Sequence, residues 1–203
     1  MMVSSQGVGG NKEGDRGVAS RWVARFIGGI AEGGRALDVA SGGGRHSRLL
    51  RERGIHVTGI DRDHGKVGDL AGDPRVRLIS ADLENGSPFP VAGEKFDGVI
   101  VTNYLWRPIL ADIVAAVARD GVLIYETFAL GQQRFGRPTN PDFLLRPGEL
   151  LDRIGPDLVA IAYEHGTIAE PLRVVQRIVA VGRDHGWVGA PPLFGEAGGP
   201  ANR

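Results

Sequence analysis

The chain contains no cysteine. That excludes disulfides, thiolate zinc sites and a cysteine nucleophile, and says little about compartment. It carries no formal net charge, since Lys+Arg and Asp+Glu are both 24. No overall basic field therefore draws it to nucleic acid or to an acidic membrane, although a local patch can hide in a neutral total. No apolar run approaches the roughly 20 residues of a membrane span. The first residues lack the apolar stretch of a secretory signal, and there is no internal repeat. The expectation is a cytoplasmic protein with no membrane or nucleic-acid partner. Glycine is abundant, 32 of 203 residues, and much of it sits near the termini. Residues 1–17 and 189–203 are rich in Gly, Ser, Pro and Asn, bury too little apolar surface to offset ordering entropy, and are expected to be disordered or flexible. One folded domain over residues 18–188 is left.

Within that domain, apolar periodicity alternates between strand and helix. Residues 19–30 put Trp22, Val23, Phe26 and Ile27 on one helical face. Residues 35–40 form a strand. Residues 45–53 form a helix closed by Gly54. Residues 55–60 form a β-branched strand ending at Asp61, followed by a short helix over 62–70. Strands follow at 76–80 and 96–102, a helix at 109–118 after Pro108, and a strand at 121–127. Residues 129–147 hold several Gly, Pro and Asn and are long for a loop, which points to function. A helix at 148–154 and strands at 158–163 and 173–181 complete the pattern. No helix fits between the last two strands, so EHGTIAEPL reads as a hairpin or short excursion. The fold expected is an α/β three-layer sandwich. Its mostly parallel seven-stranded sheet has helices on both faces and an antiparallel last strand.

Chemistry gathers at the strand ends, where open α/β sheets bind ligands. The stretch ALDVASGGGRHS joins a strand to a helix through Gly42, Gly43 and Gly44, with Asp38 inside the strand. Glycine admits backbone N–H groups close to a nucleotide-like ligand. A mid-strand acid is costly unless hydrogen-bonded, so Asp38 either meets a ligand or supports the loop. Asp61 ends the second strand and is placed to accept both hydroxyls of a ribose. Asp82 follows the third strand and could accept an adenine amine. Either acid could instead cap a local turn. The fourth and fifth strands end in Thr102-Asn103 and Glu126-Thr127. A dinucleotide fingerprint needs a further glycine where this chain has Ser47, and no Tyr-x-x-x-Lys pair follows.

The segments LDVASGGGRHS, GIDRD, SADLEN, FDGVIVTNYL and DGVLIYETF, in that order, resemble the class I S-adenosylmethionine-dependent methyltransferases, in particular compact small-molecule enzymes of the tellurite-resistance type. The resemblance implies S-adenosyl-L-methionine as cofactor and a small-molecule methyl acceptor, with the protein a monomer or homodimer and no metal. It places Asp38, Ala40 and Gly42–Gly44 at the methionine portion, and Asp61 and Arg62 at the ribose. Asp82 and Leu83 fall at the adenine, and Asn103 at the mouth beside the methyl group. Candidates for a base or for orienting the acceptor are Glu126, Asn103 and Tyr104. The chain departs from the usual GxGxG at His46, whose ring either narrows the methionine pocket or points into the first helix. The fourth segment lacks the N-P-P-Tyr signature of enzymes acting on nucleic-acid and protein nitrogens. Trp106-Arg107 is either a substrate contact or a packed aromatic with a solvated cation. Phe135, Arg137, Phe143 and Arg146 suggest a lid with apolar and cationic contacts, and with Arg134 they raise an anionic acceptor. The rival readings are a non-catalytic S-adenosylmethionine or nucleotide binder and an NAD(P)-dependent oxidoreductase.

Overall fold

A computed structural model describes residues 17–193. The expected tails fall mostly at residues 1–16 and 194–203, outside the described residues. The order of elements is α1 (Arg21–Phe26), β1 (Arg35–Val39), α2 (Arg45–Glu52), β2 (His56–Asp61), β3 (Val76–Ser80), β4 (Phe96–Thr102), α3 (Leu110–Ala115), β5 (Val117–Phe128), α4 (Glu149–Arg153), β6 (Leu158–Ala169) and β7 (Leu172–Gly182). The strands form one sheet in the order β3-β2-β1-β4-β5-β7-β6. β7 runs antiparallel to both β5 and β6, and the remaining pairings are parallel. The expected α/β sandwich with an antiparallel last strand is the fold observed.

Strand alternation divides the core in two. On β4, Val99 and Val101 join the face covered by Leu110 and Ile113 of α3 and Leu150 of α4. Ile100 points to the opposite face, beneath Trp22, Val23 and Phe26 of α1 and Leu50 of α2. Such two-sided burial is why the central strands read as continuous apolar runs. β1 sits between β2 and β4, so the chain winds outward from it in both directions. That reversal opens a crevice above the carboxyl ends of β1 and β4.

Three elements differ from expectation. Residues 62–70 form turns rather than a helix. The Asp63 carboxylate accepts the Gly65 N–H at 2.7 Å, and the side chain thus competes with helical pairing. The helix expected at 109–118 is shorter, because Val117 already pairs with Phe96 at the start of β5. The last two strands are longer than expected and form one hairpin, turning at Glu170-Pro171. Gly182 closes β7 against the neighbouring backbone, where an added Cβ would lie 2.1 Å from the Arg119 carbonyl oxygen. Gly182→Ala is therefore expected to destabilise the fold by about 1–3 kcal/mol. A urea midpoint matching the parent's would refute this.

Candidate functional site

Asp38 lies in the middle of the construction. It is 1 % exposed, and its carboxylate accepts the Ser47 hydroxyl at 2.7 Å. Burial is the main influence on it and pushes its pKa up to about 6, against the lowering effect of Ser47. Ser47 occupies the position where a dinucleotide fold needs glycine, and here it ties α2 to β1. Above this pair, Gly42 and Gly44 adopt left-handed φ of 53° and 73°. A Cβ on Gly44 would meet Val67 at 2.6 Å. Asp61, from the adjacent strand end, accepts the Gly42 N–H at 2.8 Å and the Asp63 N–H at 3.1 Å. The loop is thus pinned from below and from the side.

Three mutually adjoining cavities lie in the crevice. The first, about 160 Å³, is bounded by Ala40, Asp61, Arg62, Ala81, Asp82, Leu83, Glu84 and Tyr104. In it Asp82 accepts the Glu84 N–H at 2.9 Å, a turn-forming contact made by one of its two oxygens. The second, about 280 Å³, is lined by the glycine loop, Arg45, His46, Thr102 and Asn103. The third, about 480 Å³, lies under the long segment after β5 and is walled by Tyr104, Phe128, Pro138 and Phe143. Ala40 is shared by the first two cavities and Asn103 by the last two. Both have φ of 54°, and they are the non-glycine residues with positive φ among those described. Left-handed backbone at such residues is uncommon and strained, and it concentrates at ligand sites. The Asn103 turn is held by its own N–H on the Glu126 carbonyl at 2.9 Å, and by the Tyr125 hydroxyl on the Tyr104 carbonyl at 2.9 Å.

Nine of the twelve residues expected from sequence to bind cofactor or act in catalysis line these cavities: Ala40, Gly42, Gly43, Asp61, Arg62, Asp82, Leu83, Asn103 and Tyr104. Asp38, Gly44 and Glu126 do not. Glu126 is 2 % exposed on the α1 side of the sheet. It accepts the Ser20 hydroxyl at 3.0 Å and lies 3.3 Å from Arg177 and 3.6 Å from Arg173. Arg107, in the segment after β4, pairs with Glu149 instead. His46 is both buried and cavity-lining. Its Nε2 accepts the Ser20 N–H at 3.1 Å, so Nδ1 carries the proton and faces the Thr102 hydroxyl at 3.3 Å. Burial, and then Arg45, hold its pKa down near 3, so the ring is neutral.

The segment after β5 is fastened at three points. Gln132 bonds the Val174 N–H at 2.9 Å and the Arg137 carbonyl at 3.2 Å. Gln176 donates to the Arg146 carbonyl at 2.6 Å. Arg107 meets Glu149 with a two-pronged contact of 2.7 and 2.9 Å and also donates to the Leu144 carbonyl. Burial opposes ionisation of Glu149, but hydrogen bonds from Arg107 and from the Arg146 N–H outweigh it and hold the pKa near 2. Arg107 is thus a structural clamp rather than an isolated surface cation.

Comparison with known proteins fits this geometry. Residues 36–121 match the profile of a family described as a methyltransferase domain. The Burkholderia thailandensis 1,6-didemethyltoxoflavin-N1-methyltransferase, solved with 1,6-didemethyltoxoflavin and S-adenosylhomocysteine, superposes with a TM-score of 0.60 at 18 % identity. The match covers 80 % of this chain and 77 % of that one. The chain has the class I S-adenosylmethionine-dependent methyltransferase fold. TehB from Haemophilus influenzae shares it, with a TM-score of 0.60 and 18 % identity over 79 % of this chain and 61 % of TehB. In sequence, the chain is 35 % identical over 80 residues to ribosomal RNA small subunit methyltransferase H of Picosynechococcus sp.. That match covers 36 % of this chain and only 26 % of the relative's length.

Ala81, Glu84 and Phe128 line the crevice from within the segments SADLEN and DGVLIYETF but were not singled out from sequence, and neither was Pro138 of the segment after β5. Two measurements test the supports of the site. The folded pKa of Asp38 is raised, so its ionisation adds an unfavourable contribution on the order of 3 kcal/mol that grows as pH rises from 3.8 through about 6. Asp38→Asn keeps an acceptor for Ser47. The stability difference, variant minus parent, should therefore become more favourable over that window and level off above it, and a pH-independent difference would contradict the assignment. Arg107→Ala leaves Glu149 buried without its main partner and should cost about 3 kcal/mol at pH 7 in chemical unfolding.

Proposed function

We propose that the protein transfers a methyl group from S-adenosyl-L-methionine to a small-molecule acceptor. The observation that carries this reading is the group of three adjoining cavities at the ends of β1–β4, the second joined to the others at Ala40 and Asn103 and the first and third sharing Glu84 and Tyr104. The first suits adenosine: its carboxylates Asp61 and Asp82 only accept hydrogen bonds, matching ribose hydroxyls and an adenine amine, while Leu83 and Ala81 supply apolar wall. The second suits the methionine end. Gly42 and Gly43 bring backbone close, and the Arg45 guanidinium, which donates to Thr102 at 3.3 Å, has no carboxylate within ion-pair range among the described residues. The third opens at Asn103 and receives the acceptor.

When bound, S-adenosylmethionine supplies an activated methyl carbon: its bond to sulfur breaks as the acceptor's lone pair bonds to carbon, leaving a neutral thioether. The protein's part is alignment and exclusion of water. Asn103 stands at the join where the acceptor meets the methyl group. Tyr104 walls the third cavity; its hydroxyl oxygen is buried with no hydrogen-bond partner among the described residues, and a bound acceptor can supply one. Glu126, bound to Ser20 and two arginines, positions α1 and β7 rather than acting as a base. Asp38 supports the loop from beneath. A proton released by the acceptor leaves through the open side of the third cavity.

An RNA base is the rival acceptor raised by the ribosomal RNA relative. The zero formal net charge and the largely apolar third cavity favour a small molecule. Calorimetry should show binding of S-adenosylmethionine and S-adenosylhomocysteine. Asp61→Ala should weaken both at least tenfold, as expected for loss of charge-assisted hydrogen bonds. Binding of NAD(H) in their place would overturn the reading. Absence of S-adenosylhomocysteine production across a broad acceptor panel would favour a non-catalytic binder.

A further inference from the structure

The third cavity has one cation left over. Of the three arginines on the covering segment, Arg134 stacks on Phe135, 5.5 Å from the ring centroid, and bonds the Gly131 carbonyl. Arg146 lies 3.6 Å from Glu149. Only Arg137 borders the cavity, and its guanidinium has no hydrogen-bond, ionic or ring partner among the described residues. Its backbone is nevertheless fixed, because Gln132 holds its carbonyl at 3.2 Å and Gln132 is itself buried and bonded to β7. The charge is thus presented from a rigid base. The rest of the wall is mostly apolar, with Tyr104, Leu105, Phe128, Pro138 and Phe143, three of them aromatic, and with Asn103 and Thr127 as its uncharged polar members. Glu84 lies on the side shared with the first cavity, so an anionic group is repelled from there and drawn toward Arg137.

We infer that the methyl acceptor is a planar, largely apolar molecule carrying one carboxylate or phosphate, which Arg137 binds while the aromatic walls hold the ring and the acceptor atom faces Asn103. The inference rests on the third cavity being the acceptor site of a methyltransferase. A guanidinium matches the two oxygens of either anion with parallel N–H donors. A matched neutral compound would keep the ring contacts and lose this one.

The test uses the full chain saturated with S-adenosylhomocysteine and three probes: 2-naphthoate, 2-naphthyl phosphate and 2-naphthamide, titrated by calorimetry. One or both anions should bind at least tenfold tighter than the amide, and which one does so separates carboxylate from phosphate. Arg137→Gln should remove that preference and leave affinity for the amide and for S-adenosylhomocysteine within twofold of the parent. Arg134→Gln, at a guanidinium engaged elsewhere, should change none of the three. Equal binding of amide and anions, failure of all three probes, or an unchanged preference in Arg137→Gln would each overturn the inference. Failure of S-adenosylhomocysteine itself to bind would instead remove the methyltransferase reading on which it rests.

Discussion

A single buried hydrogen bond, from the Ser47 hydroxyl to the Asp38 carboxylate at 2.7 Å, fixes how the first strand and the first long helix meet. Glycine at position 47 would remove the hydroxyl and leave that buried carboxylate with the residue-47 backbone N–H alone. The glycine loop spans the gap between these two residues, so its shape follows from their separation. Asp61 then bonds the Gly42 N–H and ties the neighbouring strand to the same loop. One oxygen of Asp61 is thereby committed to shaping the cavity it borders. The acids at the strand ends thus divide their work: Asp38 holds the frame from below, Asp61 joins frame to cavity, and Asp82 contributes mainly at the cavity edge.

The sheet was legible in the sequence because central strands buried on both faces leave runs such as Phe96–Thr102, and those boundaries coincide with the observed ones. The donor crevice was legible for a related reason. Acids and glycines at strand ends have few alternative explanations when they recur on successive strands, and most of those named do line the first two cavities. What sequence left open was the direction in which a side chain points. Asp38 and Glu126 are carboxylates next to the crevice, yet alternation sends both toward the α1–α2 side of the sheet, where Ser47 and Arg177 receive them. The turn at residues 62–70 was misread as a helix because the competing bonds come from Asp61 and Asp63 to backbone amides, which apolar periodicity does not register.

The N-terminal edge of the described chain is part of the same machinery. Ser20 caps α1 by accepting the Trp22 N–H at 3.1 Å, and its hydroxyl donates to Glu126. Its backbone N–H donates to His46, which reaches Thr102 at the end of β4. Arg177 lies over the Trp22 ring, 4.6 Å from its centroid, and also bonds Glu126. This chain of contacts links α1, α2, β4, β5 and β7 behind the second cavity. His46, the departure from the usual glycine pattern, is the centre of this linkage. Its bulk does not block the loop because the ring takes the place where Ser20 and Thr102 can satisfy both of its nitrogens.

A division between fastened and free polar groups separates frame from function. Arg107, Gln132 and Gln176 are spent on holding the segment over the third cavity, each on at least two partners. Arg45 and Arg137 border the cavities with little or no pairing among the described residues, and the Tyr104 side chain lines two of them while its hydroxyl oxygen is buried and unpaired. Folding alone gives no reason to leave a hydroxyl oxygen buried and unpaired, since such a group forfeits its bonds to water. Its place between the first and third cavities makes sense if a bound molecule supplies the missing partner. The strained backbone at Ala40 and Asn103 points the same way, because both residues stand at junctions where a ligand extended along the crevice has to pass.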